Sequence, residues 1–392
     1  MGPTGVYRPR RPESSPLYRI LQDHYERLLQ VHEERFRELY GPLPRGVAEV
    51  VRKFLDCGIL ENGFARVYCE SCRSEFLVAF SCKCRYFCPS CHAKRLLLWS
   101  EWLQEDLLDQ VPHRQYVFTV PKRLRPYFLY DRGLLSRLSR TAYRTLRGFL
   151  AATVGESEIL PGAISSIQSF GTLLNWQPHI HMLVTDGAYR VDGCFVPLSF
   201  HSLETLTEAF RRAVLADFVK LGLFTPETAD SILAWPHSGF HVHNAVRLEA
   251  EDSQGRLQLA RYAARAPLSL ARMSYDAREG VVTIVSDKSE GPTAGVHRFE
   301  ALEFLAKLLA HVPRKGEILV RYYGAYSVRR RAQWRESGIL RTRSALDDDT
   351  GPKRREPEEP PPPTPEKIRA MRRRWAELLR RIWDVDVLAC PT

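Results

Sequence analysis

Of the nine cysteines in this chain, six fall between Cys69 and Cys91, and that crowding constrains the fold more than any other feature. A disulfide framework belongs to small secreted chains. The N-terminus here, MGPTGVYRPRRPESSP, is basic and has no apolar run of the kind a secretory signal carries. Metal is the better reading. Cys69-x2-Cys72 and Cys88-x2-Cys91 are separated by 15 residues, and two such pairs on tight turns supply four thiolates for tetrahedral zinc. The β-prone stretch Phe76-Leu77-Val78-Ala79-Phe80 between them fits the hairpin of a zinc ribbon. Cys69, Cys72, Cys88 and Cys91 are the expected structural zinc ligands, with Cys82 and Cys84 left open as substitutes. A closed four-thiolate site staples a fold, with a binding energy on the order of 10 kcal/mol, and leaves no position for catalysis. Arg66, Arg73, Lys83, Arg85, Lys94 and Arg95 around it suit a DNA surface.

At 392 residues the chain calls for more than one domain. Lys and Arg number 57 against 46 Asp and Glu, a net charge of +11. That excess fits a polyanionic partner, because neutralised phosphates release counterions; ordinary solubility charge is the other reading. Arginines cluster at Arg329, Arg330, Arg331 and Arg335, and again from Arg369 to Arg381. No run approaches the roughly 18 apolar residues of a membrane span, so the cytoplasm is the expected location and no membrane partner is expected.

Apolar residues at helical spacing run through 15–56, broken by Gly41-Pro42-Leu43-Pro44, and again through 94–109. Strands are expected at Tyr116–Val120, Ala163–Thr172, His179–Thr185, 188–197, Phe240–Leu248, 279–285 and 317–323. Helices are expected at 133–153, 202–221, 226–234, 254–266 and 299–311. Irregular alternation with tight hairpins points to an α+β class, an antiparallel sheet with helices packed on it. Residues 343–365, ending in EPEEPPPPTP, read as a charged proline-rich linker. Ile368, Met371, Trp375, Leu378, Leu379 and Ile382 then form one helical face opposite the arginines.

His179-Ile180-His181 places two imidazoles on one face of a strand, with Ile180, Met182 and Val184 on the other. Histidine pairs on strands are often only polar surface. A second pair, His241-Val242-His243, also lies on an expected strand, and periodicity does not choose between them.

An ordered series of motifs does. The cysteine segment is followed by Gln168-Ser169-Phe170-Gly171, Asn175 to His181, and Gly239 to Asn244. Then come Leu259-Ala260-Arg261-Tyr262 with Arg265 and Pro267, Ser286 to Gly295, Leu302 to Leu305, and Arg321-Tyr322-Tyr323-Gly324. This order, over roughly residues 15–335, resembles the rolling-circle transposases of the insertion sequence ninety-one family. These belong to the HUH endonucleases, named for two histidines around a hydrophobic residue. The resemblance implies a ferredoxin-like antiparallel sheet, a catalytic divalent metal on His179 and His181, and Tyr262 as the nucleophile on a facing helix. Arg265, at i+3 from Tyr262, is placed to pair with phosphate. For a third metal ligand the resemblance favours Gln168 over its competitor His243, and magnesium or manganese suits nitrogen and oxygen ligands beside a phosphate. Some members carry a second tyrosine four residues earlier; Gln258 stands there, so a single-tyrosine mechanism is expected. Relatives often continue past the position of Cys390 into a Cys-Pro-x-Cys-Gly motif, so a shortened C-terminus is expected.

The expected organisation is a helical segment over 1–62, a zinc ribbon over 63–100, an HUH nuclease domain over 101–342, the linker over 343–365 and a basic amphipathic tail over 366–392. The partners implied are single-stranded DNA at element ends and target DNA, with the choice of monomer or dimer left open. Two alternatives stand beside the transposase reading. One is a plasmid replication initiator or relaxase with the same nicking chemistry; the other is a non-catalytic DNA-binding relative.

Overall fold

The computed structural model describes residues 11–339, apart from 69, 71, 72, 74 and 199–201, together with 364–366 and 369. Nearly all of the linker and tail expected over 343–392 therefore lies outside the described residues.

Helix α1 (Pro16–Arg35) starts on a proline and buries Leu17, Ile20, Leu21, Tyr25 and Leu28 along one stripe. After the short α2 (Arg37–Tyr40), Gly41 at φ +76° turns the chain towards α3 (Val47–Leu55). Strands β1 (Phe64–Tyr68) and β2 (Glu75–Ala79) pair as the expected antiparallel hairpin. Next, α4 (Pro89–Trp102) relaxes into a π turn over Leu103–Leu107.

Strand β3 (His113–Thr119) leads to α5 (Arg125–Tyr130) and the long α6 (Gly133–Val154). Strands β4 (Ala163–Phe170) and β5 (Trp176–Thr185) follow. The single strand expected at 188–197 is instead a tight hairpin of β6 (Gly187–Tyr189) and β7 (Phe195–Pro197), turned by Gly193 at φ +86°. After α7 (Leu203–Lys220) and α8 (Pro226–Leu233), the strand expected at 240–248 is two short pieces, β8 (His241–His243) and β9 (Arg247–Leu248). Helix α9 (Ser253–Ala263) is capped by Asp252, whose carboxylate accepts the Gly255 N–H.

Strands β10 (Met273–Asp276), β11 (Val281–Val285) and β12 (Val296–Glu300) make a three-stranded sheet; β10 and β12 carry too short and mixed a pattern to stand out in the sequence. Helix α10 (Ala301–Leu309), β13 (Val320–Tyr323) and α11 (Val328–Glu336) complete the described chain. Gly324, at φ +57°, closes the Arg321–Gly324 motif where a Cβ would collide with the Pro161 carbonyl.

The main sheet runs β13-β4-β5-β3-β8, with β9 also on β3, every pairing antiparallel. With mixed helices around it, the class is α+β. One face, with Tyr116, Phe118, Ile167, Ile180, Met182 and Val184, packs against α6 and α7 as the main core. The other face is covered by α9 and the π turn through Ile164, Leu183, Ala260 and Leu103. A second core joins α1 and α3 to β10, β11 and α10.

Two core histidines are held neutral by their surroundings. His113 donates from Nδ1 to Val111 O (2.8 Å) and accepts the Tyr326 hydroxyl at Nε2 (2.7 Å). His311 accepts the Ser169 hydroxyl at Nδ1, donates from Nε2 to Leu174 O (each 2.9 Å), and stacks on Trp176. Burial pushes His113 down to about 3 and His311 down to about 4. Unfolded, both titrate near 6.5, so below that pH the unfolded chain binds more protons. Their contribution is complete above about pH 6.5 and is lost as pH falls towards 4 and then 3, by up to about 1.4 kcal/mol per pH unit for each ring. Urea unfolding should therefore show a lower midpoint at about pH 5 than at about pH 7.5, with His311→Gln flattening the difference; an unchanged slope in that variant would remove His311 from the account.

A candidate metal centre facing a tyrosine

The sheet register assembles the site. Across β4-β5-β3, Gln168 pairs with His179 and His179 with Thr119, while Ser166 pairs with His181 and His181 with Val117. Because side chains alternate with period two, Gln168, His179 and His181 stand together on the face beneath α9. The two Nε2 atoms converge to 3.1 Å. His179 donates from Nδ1 to Gln177 O (2.8 Å), which leaves its Nε2 lone pair directed at the neighbour. Burial lowers the pKa of both rings, His181 to about 3, so both stay neutral and able to ligate.

Gln168 contributes in two directions. Its Nε2 donates to the carbonyls of Tyr262 (3.2 Å) and Ala263 (2.6 Å), the last residues of α9. Its Oε1 is buried and has no hydrogen-bond partner. An orphaned acceptor beside two convergent imidazole nitrogens fits a bound cation. His243 is placed differently. It is exposed on β8, stacked on His241, with β3 between it and His181, about 10 Å away along the sheet.

Tyr262 lies on the last turn of α9, 48% exposed, with its ring edge-on to His181 at 5.7 Å. Arg265 lies just past the helix, its guanidinium 4.7 Å from the centre of the Tyr262 ring, and its buried Nε has no partner. The five residues expected at this site are thus brought together. Two supporting residues were not expected. Gln115, on the same face of β3, bonds through its side-chain amide to His181 Nδ1 (2.9 Å). There the Gln115 Nε2 donates to Nδ1 and the His181 Nε2 proton faces His179 Nε2; an amide flip that sets Gln115 Oε1 against Nδ1–H would free the His181 Nε2 lone pair for a cation. His92 reaches from α4 to the end of α9, its Nε2 2.9 Å from Ala264 O. A single glutamine on a strand gives no signal without the register; His92 had one, its place beside Cys91.

The cysteines form a separate centre. Among the described residues, Cys57, Cys82, Cys88 and Cys91 bring their sulfurs within 4.8 Å of one another. The Cys57–Cys88, Cys57–Cys91 and Cys82–Cys91 separations are 4.0, 3.7 and 3.5 Å. Four sulfurs about 2.3 Å from one tetrahedral zinc lie roughly 3.8 Å apart, so the set fits zinc. Cys88 caps α4 ahead of Pro89, Cys57 follows α3, and the Cys82 N–H donates to Cys57 Sγ. Cys69 and Cys72, expected as the partner pair, lie outside the described residues. Cys84 turns away, with its thiol towards Val50 O and Cys82 O. Cys57 was missed because it has no x2 partner. Of the arginines at 329–335, Arg331 is committed internally, to Asp109 and Asp106 O.

Two family models match the chain: one described as "Transposase zinc-binding domain" over residues 21–120, and one described as "Putative transposase" over residues 162–333. The chain is similar to the "Transposase for insertion sequence element IS801" of Pseudomonas savastanoi pv. phaseolicola, with 29% identity over 70% of this chain and 69% of that one. It is also similar to "Putative transposase y4qJ" of Sinorhizobium fredii, with 26% identity over 68% of this chain and 70% of that one. No solved structure matches it significantly.

The sulfur geometry predicts that Cys57→Ser and Cys82→Ser each lower the zinc content of purified protein as far as Cys88→Ser does. Metal analysis by mass spectrometry reads this directly, and one full equivalent in Cys57→Ser would take Cys57 out of the ligand set.

Proposed function

We propose that this chain, which belongs to the IS91 family of transposases, nicks and rejoins single-stranded DNA through a 5′-phosphotyrosine on Tyr262 in rolling-circle transposition. The observation that carries the reading is the Tyr262 ring set edge-on to His181 while the two histidine Nε2 atoms converge beneath it.

In this reading the Tyr262 oxygen attacks the phosphorus of a phosphodiester. The bond from phosphorus to the 3′ oxygen breaks, the phenol proton passes to solvent, and the leaving oxygen takes up a proton as a 3′ hydroxyl. A later 3′ hydroxyl attacks the same phosphorus, the phosphorus–tyrosine bond breaks, and the phenol is restored. The strand is resealed without an external energy source. His179, His181 and Gln168 Oε1 would hold a divalent cation, magnesium or manganese, which supplies charge to polarise the phosphodiester. Gln168 Nε2 keeps the tyrosine turn against that centre, and Arg265, with its unpartnered Nε beside the phenol ring, binds a phosphate oxygen. Single-stranded DNA at element ends, and target DNA, are the proposed partners. A replication initiator or relaxase would use the same step on an origin; membership of the transposase family favours the element end. A binding-only relative has no need of the convergence seen here.

Incubating the purified protein with labelled single-stranded element-end DNA and manganese or magnesium should give an adduct that survives denaturation. Tyr262→Phe should abolish it; an adduct persisting in that variant, or none from the parent protein, refutes the assignment. Gln115→Leu, which removes the partner of His181 Nδ1, should weaken manganese binding by about 10- to 100-fold, as measured by titration calorimetry without DNA. Unaltered manganese affinity would leave Gln115 a packing residue only.

A further inference from the structure

We propose that the cleft between the cysteine cluster, α4 and β13 is the channel in which single-stranded DNA lies as it approaches Tyr262. The proposal rests on the nicking function argued above and deepens it by giving the substrate a place on the protein. The cleft has a volume of about 790 Å³. Its rim carries Arg45, Lys83, Arg85, Arg95 and Lys315, all exposed. None of these five has an ion-pair partner among the described residues; exposed arginines elsewhere are divided, Arg35 and Arg190 being paired with Glu300 and Glu156, and Arg123, Arg140 and Arg329 not. The acids on the wall are already engaged, Glu49 by Lys53 and Glu317 by the buried Arg132. Arg314, also on the wall, keeps a buried Nε without a partner. These cations outnumber the negative charge of the neighbouring thiolate centre and the engaged acids, and the surplus is a positive field that a polyanion relieves.

Phosphate binding alone does not separate a single strand from a duplex; the rings do. Tyr86, Trp99 and Tyr322 line the same cleft, and Trp99 Nε1 donates to the Tyr322 hydroxyl (2.7 Å), holding two of the rings in place. Unpaired bases stack on such rings, while a duplex keeps its bases to itself. The loop carrying Lys83 and Tyr86 holds both at positive φ, +55° and +60°, which side chains of this size avoid. That loop is tied down by the Tyr86 N–H on His92 Nδ1 (3.2 Å) and by the cysteines on either side of it. The cleft also reaches the residue that ends the tyrosine helix. Ala264 forms part of its lining, two residues beyond Tyr262, and its carbonyl is held by His92.

The test uses the full chain carrying Tyr262→Phe, so that binding is read without covalent trapping. Fluorescence anisotropy follows a labelled single strand of about 20 nucleotides, and the same sequence as a duplex, over a range of salt. Replacing Arg85 and Arg95 by Ala should weaken single-strand binding and lower the salt-dependence slope by about 0.7 for each phosphate no longer neutralised. Trp99→Ala should weaken it at least about fivefold, with Trp99→Phe restoring it. Both arginines are exposed, so the double variant remains informative even if Trp99→Ala fails to fold. Parental affinity in the double variant overturns the proposal, as does an equal loss for strand and duplex with Trp99→Ala neutral. If the parent chain forms no adduct while the double variant loses strand binding, the nicking reading fails and the cleft stands. An adduct from the parent chain with unchanged binding in the variants retires the cleft alone.

Discussion

The geometry of the site depends on how the last turn of α9 is held. A helix leaves its final carbonyls without intrahelical partners, and here three of them are used as handles. Gln168 takes those of Tyr262 and Ala263 from the sheet side, and His92 takes that of Ala264 from the cysteine side. A third tie, from Arg261 Nε to the Ser100 hydroxyl, docks the same turn on α4. These bonds lie in buried surroundings, where hydrogen bonds are stronger than in water. The half-exposed tyrosine is therefore fixed by its backbone.

The two faces of the sheet divide the labour. Alternation along β5 sends Ile180, Met182 and Val184 fully into the core, and the same alternation sends the two histidines under α9. That much is legible in a single strand of sequence. What is not legible is the register, which decides who stands beside whom. Gln168 was within reach of inference because one short turn joins its strand to the histidine strand. Gln115 was not, since β3 is separated from β5 by two helices and another strand. The choice between two His-x-His pairs came from the order of motifs, and the structure supplies a physical basis for it. One pair is covered by a helix and bonded by Gln115, while the other lies exposed on a short strand near the sheet edge.

The cysteines teach a related lesson. Spacing marks pairs that sit on one turn, so Cys88 and Cys91 were readable. A ligand delivered singly from the end of a helix has no spacing to betray it, and Cys57 arrives that way behind α3. The strands β10 and β12 escaped for a different reason: each is four or five residues long with mixed polarity, and their stability comes from neighbours rather than from their own pattern.

The second core has a consequence for synthesis on the ribosome. The buried stripe of α1 is completed by α10, whose residues lie more than 250 positions later in the chain. At roughly 5–20 residues per second, α1 waits on the order of 15–50 s before its covering helix is made. Throughout that interval the α1 stripe packs only on nearby partners such as α3, and the part that α10 will cover stays open to other apolar surfaces. The sheet bearing the histidines is nearly finished well before then, but its N-terminal attachment is not. Completion of the second core is consequently a late event, whereas the buried residues of the main core, Tyr116 to Val242, are all made before α10.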